Sequence, residues 1–201
     1  MRIENQMIDP INITNFNLSK EQLEEQLLFW ILAAGKNGVT SAKCLEKFLT
    51  KCKTFTRKEL TPFELIKTIS KADLPNMMKN CGIGCYNNKS KSFIDLVNSN
   101  LSLTTCTVED LEKIRGIGPK TARCFLIHTR EKCELAGLDT HILKFLKDNG
   151  VSNVPKSTPV GKNYLRLEQE FLKLVKKSNM NVAEFDLMIW NKYRAGIVFS
   201  G

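Results

Sequence analysis

The sequence predicts an all-α fold, and three observations carry the prediction. Apolar residues recur at helical spacing along most of the chain. Several of the expected helix starts carry a cap residue three positions ahead of an acid or a glutamine. No stretch of useful length alternates apolar and polar residues as a half-buried strand would, and no internal repeat is evident.

The elements follow in order. Ser19 and Gln22 cap a helix whose Leu23, Leu27, Trp30 and Ile31 share a face. A second helix is expected over about 40–51. Thr61-Pro62-Phe63-Glu64 combines a cap, a first-turn proline and an acid at the third position, so a helix starts there. Further helices are expected near 73–80 and 88–99. Thr107 and Asp110 form a variant of the capping box before a helix over 108–115, with Leu111 and Ile114 on one side. Others are expected near 119–130, 140–149 and 161–177. Residues 150–160, GVSNVPKSTPV, are the longest break. In the last helix, near 182–194, Asn181 and Glu184 have cap spacing and Val182, Phe185, Ile189 and Tyr193 make an apolar stripe. Asp186 and Trp190 lie one turn apart on an adjoining face.

The most informative stretch is Leu111 to Leu143. Gly116-Ile117-Gly118 runs into Pro119-Lys120 at a helix start. Gly116 and Gly118 are expected to take backbone angles that other residues resist and to bring the main chain close to a surface. Pro119 suits the first helical position. Loop N–H groups and the helix N-terminus would then point outward, ready for a phosphate. The same residues also suit an ordinary helix–helix turn.

Lys120 is expected to have a lowered pKa, because the positive end of the helix macrodipole disfavours an ammonium and desolvation in a cleft acts the same way. A neutral amine there can attack a sugar C1′ and form a Schiff base. The other reading is a lysine that binds phosphate. Asp139, nineteen positions on, precedes Thr140-His141-Ile142-Leu143 and suits an N-cap in its charged form. It either stabilises positive charge on a deoxyribose or is a cap and nothing more.

Together, G-I-G-P-K-T-A followed by L-D-T-H-I-L resembles the signature of the helix-hairpin-helix DNA glycosylase superfamily, which includes endonuclease III. The resemblance covers roughly residues 20–198 and is strongest over 107–146 and 179–198. It implies a two-lobed helical fold with the active site in the cleft between lobes. One lobe would take about 17–36 plus 150–201, and the hairpin lobe about 37–149. It implies a bifunctional enzyme, a base-excising glycosylase with abasic-site lyase activity, acting on double-stranded DNA that contains a damaged base. Lys120 matches the family's catalytic lysine and Asp139 its aspartate. Gly116, Gly118, Pro119 and His141 would contact DNA. The backbone carbonyls of Glu112, Ile114 and Ile117 would hold a monovalent cation, Na+ or K+. No cofactor is implied for the chemistry.

Gly84-Cys85-Tyr86-Asn87-Asn88-Lys89 is similar to the G-L-Y-N-x-K segment of endonuclease III, whose tip wedges into the DNA stack. Tyr86 or Cys85 would fill the vacated space and Asn87 would contact the orphan base or a phosphate. Cys85 stands where that pattern has leucine, and a Tyr-Asn-Asn run is also a common turn. The stretch 179–198 resembles the end of the type-2 8-oxoguanine DNA glycosylases, so Trp190 would stack on the damaged base with Asp186 beside it. From spacing alone Trp190 is equally a core residue. Those enzymes end in a lysine whose carboxylate helps read the base. Here the corresponding position falls near Phe199, and Ser200-Gly201 follow.

Composition sets outer bounds. With 201 residues, 42% of them hydrophobic, the chain can bury a real core in one domain or two small lobes. A net charge of +9 favours a polyanionic partner. Seven cysteines without zinc spacing suit a reducing, intracellular compartment, whether cytoplasm, nucleoid or nucleus. No cysteine follows Cys133, so the C-terminal iron–sulfur cluster of many endonuclease III proteins is not expected. The longest apolar run, Leu27 to Ala34, is too short for a membrane span, and the first fifteen residues lack a signal-peptide core. A monomer is expected. His128 is expected to be structural.

The resulting expectation is removal of an oxidised base, 8-oxoguanine first. One alternative is an endonuclease III-like enzyme for oxidised pyrimidines, which the Tyr-Asn segment favours and the missing cluster cysteines disfavour. The other is a non-catalytic hairpin DNA-binding module, which would have no need of the distant Asp139.

Overall fold

A computed structural model describes residues 8–194. Among them are ten helices and no strand: α1 (Lys20–Ala33), α2 (Gly38–Lys53), α3 (Pro62–Lys67), α4 (Leu74–Asn80), α5 (Tyr86–Val97), α6 (Val108–Glu112), α7 (Pro119–Thr129), α8 (Thr140–Asp148), α9 (Gly161–Ser178) and α10 (Val182–Arg194). The all-α expectation holds.

Local chemistry explains the boundaries. Capping boxes form at Ser19/Gln22, Thr61/Glu64 and Thr107/Asp110, each satisfying two main-chain donors at a helix start. Asn181 and Glu184 close the same reciprocal pair ahead of α10, at 2.9 and 3.3 Å. Three helices depart from expectation by two residues or more. α2 starts at Gly38 because the Asn37 side chain accepts the Thr40 N–H. α5 starts at Tyr86, two residues early, behind a left-handed Cys85 at φ 54°. α6 ends at Glu112, and the chain then turns through Ile114–Ile117.

Contacts divide the chain into two compact units. Unit 1 contains Asn17–Gly118 and the segment before Thr14; unit 2 contains Thr14–Phe16 and everything from Pro119 onward. This break falls at Gly118–Pro119, not at the lobe boundaries expected near 36/37 and 149/150. The reason lies in α1, whose strongest packing is against α2, with α3 and α5 also in contact.

In unit 1 the buried centre includes Leu27, Leu28, Phe48 and Phe93, the last two edge-to-face at 6.0 Å. Two buried charges tie its helices together. Glu24 accepts the Phe63 N–H at the start of α3. Lys89 donates to the Leu32 carbonyl at the end of α1, where a cation also meets the negative end of the helix dipole.

Unit 2 closes around Leu138, Ile142, Leu146, Tyr164, Leu167, Phe171 and Ile189. Phe171 and Phe145 both meet the Phe185 ring edge-to-face, at 5.6 and 5.5 Å. Phe171→Ala removes a fully buried ring at the middle of this cluster. It should destabilise the protein by about 3–5 kcal/mol in urea denaturation. A loss below about 1 kcal/mol would show that the cluster does not hold unit 2 together.

Candidate functional site

Unit 2 gathers most of the residues singled out in the sequence. Lys120 lies in the first turn of α7, half-buried. Asp139 is the N-cap of α8, and one of its oxygens accepts the His141 and Ile142 N–H groups, both at 2.9 Å. Asp186 is buried on α10. Cys124, Asp139 and Asp186 are all near enough to Lys120 to act on its ammonium.

The direction of the Lys120 pKa is opposite to that expected. Burial is the largest single influence and pulls it down, but Cys124, Asp139 and Asp186 together reverse the sign and hold it above the ordinary lysine range. Burial pushes the Cys124 thiol up to about 12, so it is neutral at pH 7. The anions that keep Lys120 charged are therefore the two carboxylates. The helix-dipole argument fails because it weighs a fraction of a charge against two nearby full ones.

Asp139 is pushed above the usual carboxylate range, chiefly by burial and further by Asp186; Lys120 and the Ile142 N–H pull the other way. A charged amine thus faces a carboxylate that binds a proton more readily than usual.

Asp186 is held from behind. Its Oδ2 lies 3.3 Å from His128 Nε2, and His128 Nδ1 lies 2.8 Å from the Thr14 hydroxyl. A carboxylate only accepts, so Nε2 carries a proton toward Asp186. Asp186 Oδ1 is buried without a hydrogen-bond partner among the described residues.

Trp190, one turn beyond Asp186, is half-buried. The His141 ring meets it edge-on at 6.5 Å, and the Arg194 guanidinium covers a face at 5.1 Å. Phe199-Ser200-Gly201 lie outside the described residues.

Other expected site residues belong to unit 1. Gly116 has φ +81°, and a Cβ there would run into the Ser92 hydroxyl of α5. Gly118 does not have a positive φ; a Cβ there would meet nothing. Only the first glycine is needed by the turn, which corrects the expectation for the second. The Ile114 carbonyl accepts the Ile117 N–H at 3.1 Å to close this turn and keeps one lone pair. Tyr86 and Asn87 are not loop residues: they form the first turn of α5, and Lys79 lies 5.8 Å over the Tyr86 ring.

Sequence reading missed Cys124, Gly137, Arg123, Tyr164 and Glu168. Gly137 packs so tightly on Cys124 that a Cβ would clash with its sulfur. Cys124 carried a signal, since it stands one turn after Lys120 on one helix. So did Glu168, an acid on the apolar face of α9 beside Tyr164, Leu167 and Phe171.

Comparison with known proteins gives a consistent picture. The family model for 8-oxoguanine DNA glycosylase (Ogg-HhH) matches residues 11–180. The 8-oxoguanine DNA glycosylase/AP lyase of Picrophilus torridus is 39% identical over 80 residues, which is 40% of this chain and 37% of that protein. The chain thus matches little more than a third of that relative's length. The Methanocaldococcus jannaschii 8-oxoguanine glycosylase/lyase, solved in complex with a 15mer DNA containing 8-oxoguanine, superposes with a TM-score of 0.68 at 22% identity, covering 96% of this chain and 90% of that one. The 8-oxoguanine DNA glycosylase of Thermotoga maritima gives 0.66 at 20% identity, with 98% and 90% covered. The 3-methyladenine DNA glycosylase of H. pylori bound to 1,N6-ethenoadenine gives 0.67 at 22%, with 88% and 86% covered. The likeness to the solved structures is one of fold.

The two hairpin glycines should separate in mutagenesis. Gly116→Ala forces a left-handed alanine against Ser92 and should cost about 1–3 kcal/mol in chemical denaturation. Gly118→Ala should leave stability within about 0.5 kcal/mol. Equal losses would mean that the turn needs both glycines.

Proposed function

The chain belongs to the helix-hairpin-helix 8-oxoguanine DNA glycosylase family, and from that we propose that it is a bifunctional DNA glycosylase and abasic-site lyase that removes 8-oxoguanine from double-stranded DNA. The observation that carries the proposal is the ammonium of Lys120 set among Asp139 and Asp186 at the start of the helix that follows the hairpin. A DNA-binding module has no use for a buried carboxylate of raised pKa beside its lysine.

The damaged nucleotide is extruded from the duplex, at a cost of a few kcal/mol that is smallest for a damaged pair. Asp139 takes the proton from Lys120. The freed amine attacks C1′ as the C1′–N bond to the base breaks, and the departing base takes the bonding electrons and a proton. Opening of the sugar ring leaves a protonated imine between Lys120 and C1′. Loss of a C2′ proton then expels the 3′-phosphate by β-elimination, and the strand is cut. Asp139, when ionised, also stabilises the positive charge that develops on the sugar.

Trp190 is the proposed platform for the extruded base, on the face opposite Arg194 or by displacing that guanidinium. Asp186 Oδ1, buried and lacking a partner, is placed to accept from a base N–H. Gly116, Gly118, Pro119 and His141 are proposed to contact DNA. Gly118 in particular leaves its backbone open to a close approach. Tyr86 and Asn87 would act from the first turn of α5 instead of from a loop tip. The carbonyls of Glu112, Ile114 and Ile117 are the proposed ligands of a monovalent cation that would brace the hairpin.

The direct test incubates the protein with duplexes carrying 8-oxoguanine, thymine glycol or uracil and compares nicking. Fastest release is expected for 8-oxoguanine; preference for thymine glycol would make the enzyme endonuclease III-like, and no nicking of any duplex would leave a binding module. Borohydride should trap the wild-type protein on the cleaved duplex. Lys120→Gln should lose trapping and strand cleavage while keeping DNA affinity within about a factor of ten, since one contact is worth ~1 kcal/mol. Trapping that persists in the variant would mean that another amine is the nucleophile.

Asp139→Asn retains a capping side chain, so stability should fall only modestly. Base release should slow by orders of magnitude. The sign of the pH effect follows from the raised carboxyl. Wild-type activity should fall with decreasing pH while still above the ordinary carboxylate range, as Asp139 becomes protonated and stops accepting from Lys120. In Asp139→Asn that acid limb should vanish, and residual activity should climb with pH as Lys120 loses its proton to solvent. A variant whose rate only tracks its small loss of stability would make Asp139 a cap.

A further inference from the structure

The segment 136–139, which ends in Asp139, is held largely by side chains. Ala136 donates its N–H to Glu168 Oε1 at 2.8 Å. The Ala136 carbonyl accepts the Tyr164 hydroxyl at 2.6 Å, and the same hydroxyl oxygen accepts the Leu138 N–H at 3.1 Å. The Leu138 carbonyl accepts the Thr158 hydroxyl at 3.0 Å. The Asp139 N–H closes on the Gly137 carbonyl at 2.6 Å. Gly137 lies against Cys124, one turn along α7 from Lys120.

The holders are also joined to α7. Arg123 donates from Nε to Glu168 Oε1 at 2.8 Å and from a terminal nitrogen to the Pro119 carbonyl at 3.3 Å. Its guanidinium lies 4.4 Å over the Tyr164 ring. Tyr164, Glu168 and Arg123 are 1%, 4% and 7% exposed, so this is a dry polar network with little slack. One oxygen of Glu168 thus binds both the helix that carries Lys120 and the segment that carries Asp139.

We propose that Arg123 of α7 and Tyr164 and Glu168 of α9 are positioning residues, a clamp that fixes the separation of Lys120 and Asp139. The proposal rests on the roles given to those two residues above. None of the three clamp residues needs to touch DNA. Their effect is to keep segment 136–139 from relaxing and to keep Asp139 in its dry setting. The titratable groups acting on Asp139 are Lys120 from α7, Asp186 from α10 and His141 from its own helix, and Asp139 in turn acts on the Cys124 thiol.

Tyr164→Phe tests this with the least disturbance, because it keeps the ring under Arg123 and removes one hydroxyl. The readout is the carboxyl carbon of Asp139, followed by NMR across a pH titration in full-length wild type and variant. Loosening the segment admits water, so the Asp139 midpoint should fall toward the ordinary carboxylate value by about half a pH unit or more. Single-turnover cleavage of an 8-oxoguanine duplex should slow at least about tenfold, since small misplacements of reacting groups are costly. Duplex affinity should change less than about twofold.

An unchanged Asp139 midpoint overturns the clamp, and so does a shifted midpoint with an unchanged cleavage rate. If Tyr164→Phe fails to fold, Thr158→Val carries the same measurement, since it removes one strut at an exposed position. Its midpoint should move in the same direction by a smaller step, and no movement overturns the clamp. If wild type cuts no duplex at all, the functional reading fails, and the titration alone decides the clamp.

Discussion

The structure of unit 2 is organised around one electrostatic constraint. Two carboxylates and one ammonium share a largely dry space, and none of them is stable there alone. An isolated buried charge costs several kcal/mol, so each must be kept within reach of its opposite. Lys120 stays charged because Asp139 and Asp186 are near. Asp139 tolerates burial because Lys120 and two α8 N–H groups face it. Asp186 is tied back to His128 and through it to Thr14.

That constraint explains why so many polar side chains in unit 2 are buried around backbone instead of around each other. Arg123, Tyr164 and Glu168 spend most of their hydrogen bonds on main-chain groups of Pro119, Ala136 and Leu138. A carboxylate on a slack segment would swing toward solvent, where it is better hydrated, and the pair would separate. Apolar packing alone is too undirected to prevent this, because burial has no preferred orientation. Unit 1 uses buried charge differently. Glu24 satisfies the start of α3 and meets the exposed Lys20 at 3.9 Å, and Lys89 satisfies the end of α1.

The helices were legible in the sequence because their signals are local. Caps at Ser19, Thr61, Thr107, Asp139 and Asn181 need only a side chain and an N–H two or three residues on. The same locality explains the errors at Gly38 and Tyr86, where an unremarked Asn37 and a left-handed Cys85 decide the start. Lys120 and Asp139 were readable as a motif, and Asp186 as an acid one turn before Trp190 on the face adjoining a stripe. The protonation of Lys120 was not readable. It depends on which charges end up nearest in space, and Asp186 is far from Lys120 in sequence. The clamp was hidden for the same reason: Glu168 and Ala136 are separated by 32 positions, and a buried acid on α9 does not announce its partner.

The tie between Thr14 and His128 spans 114 positions, and that between His128 and Asp186 another 58. A chain made from its N-terminus releases Thr14 long before either partner exists. Unit 1 can close on itself as it emerges, while residues 14–16 wait for a unit not yet synthesised. The amine of Lys120 then spends the interval without its second carboxylate, in a half-built pocket. Only when α10 has docked does the charge balance at the site become that of the finished protein. The order of synthesis therefore makes electrostatic completion of this charged cluster one of the last events in folding.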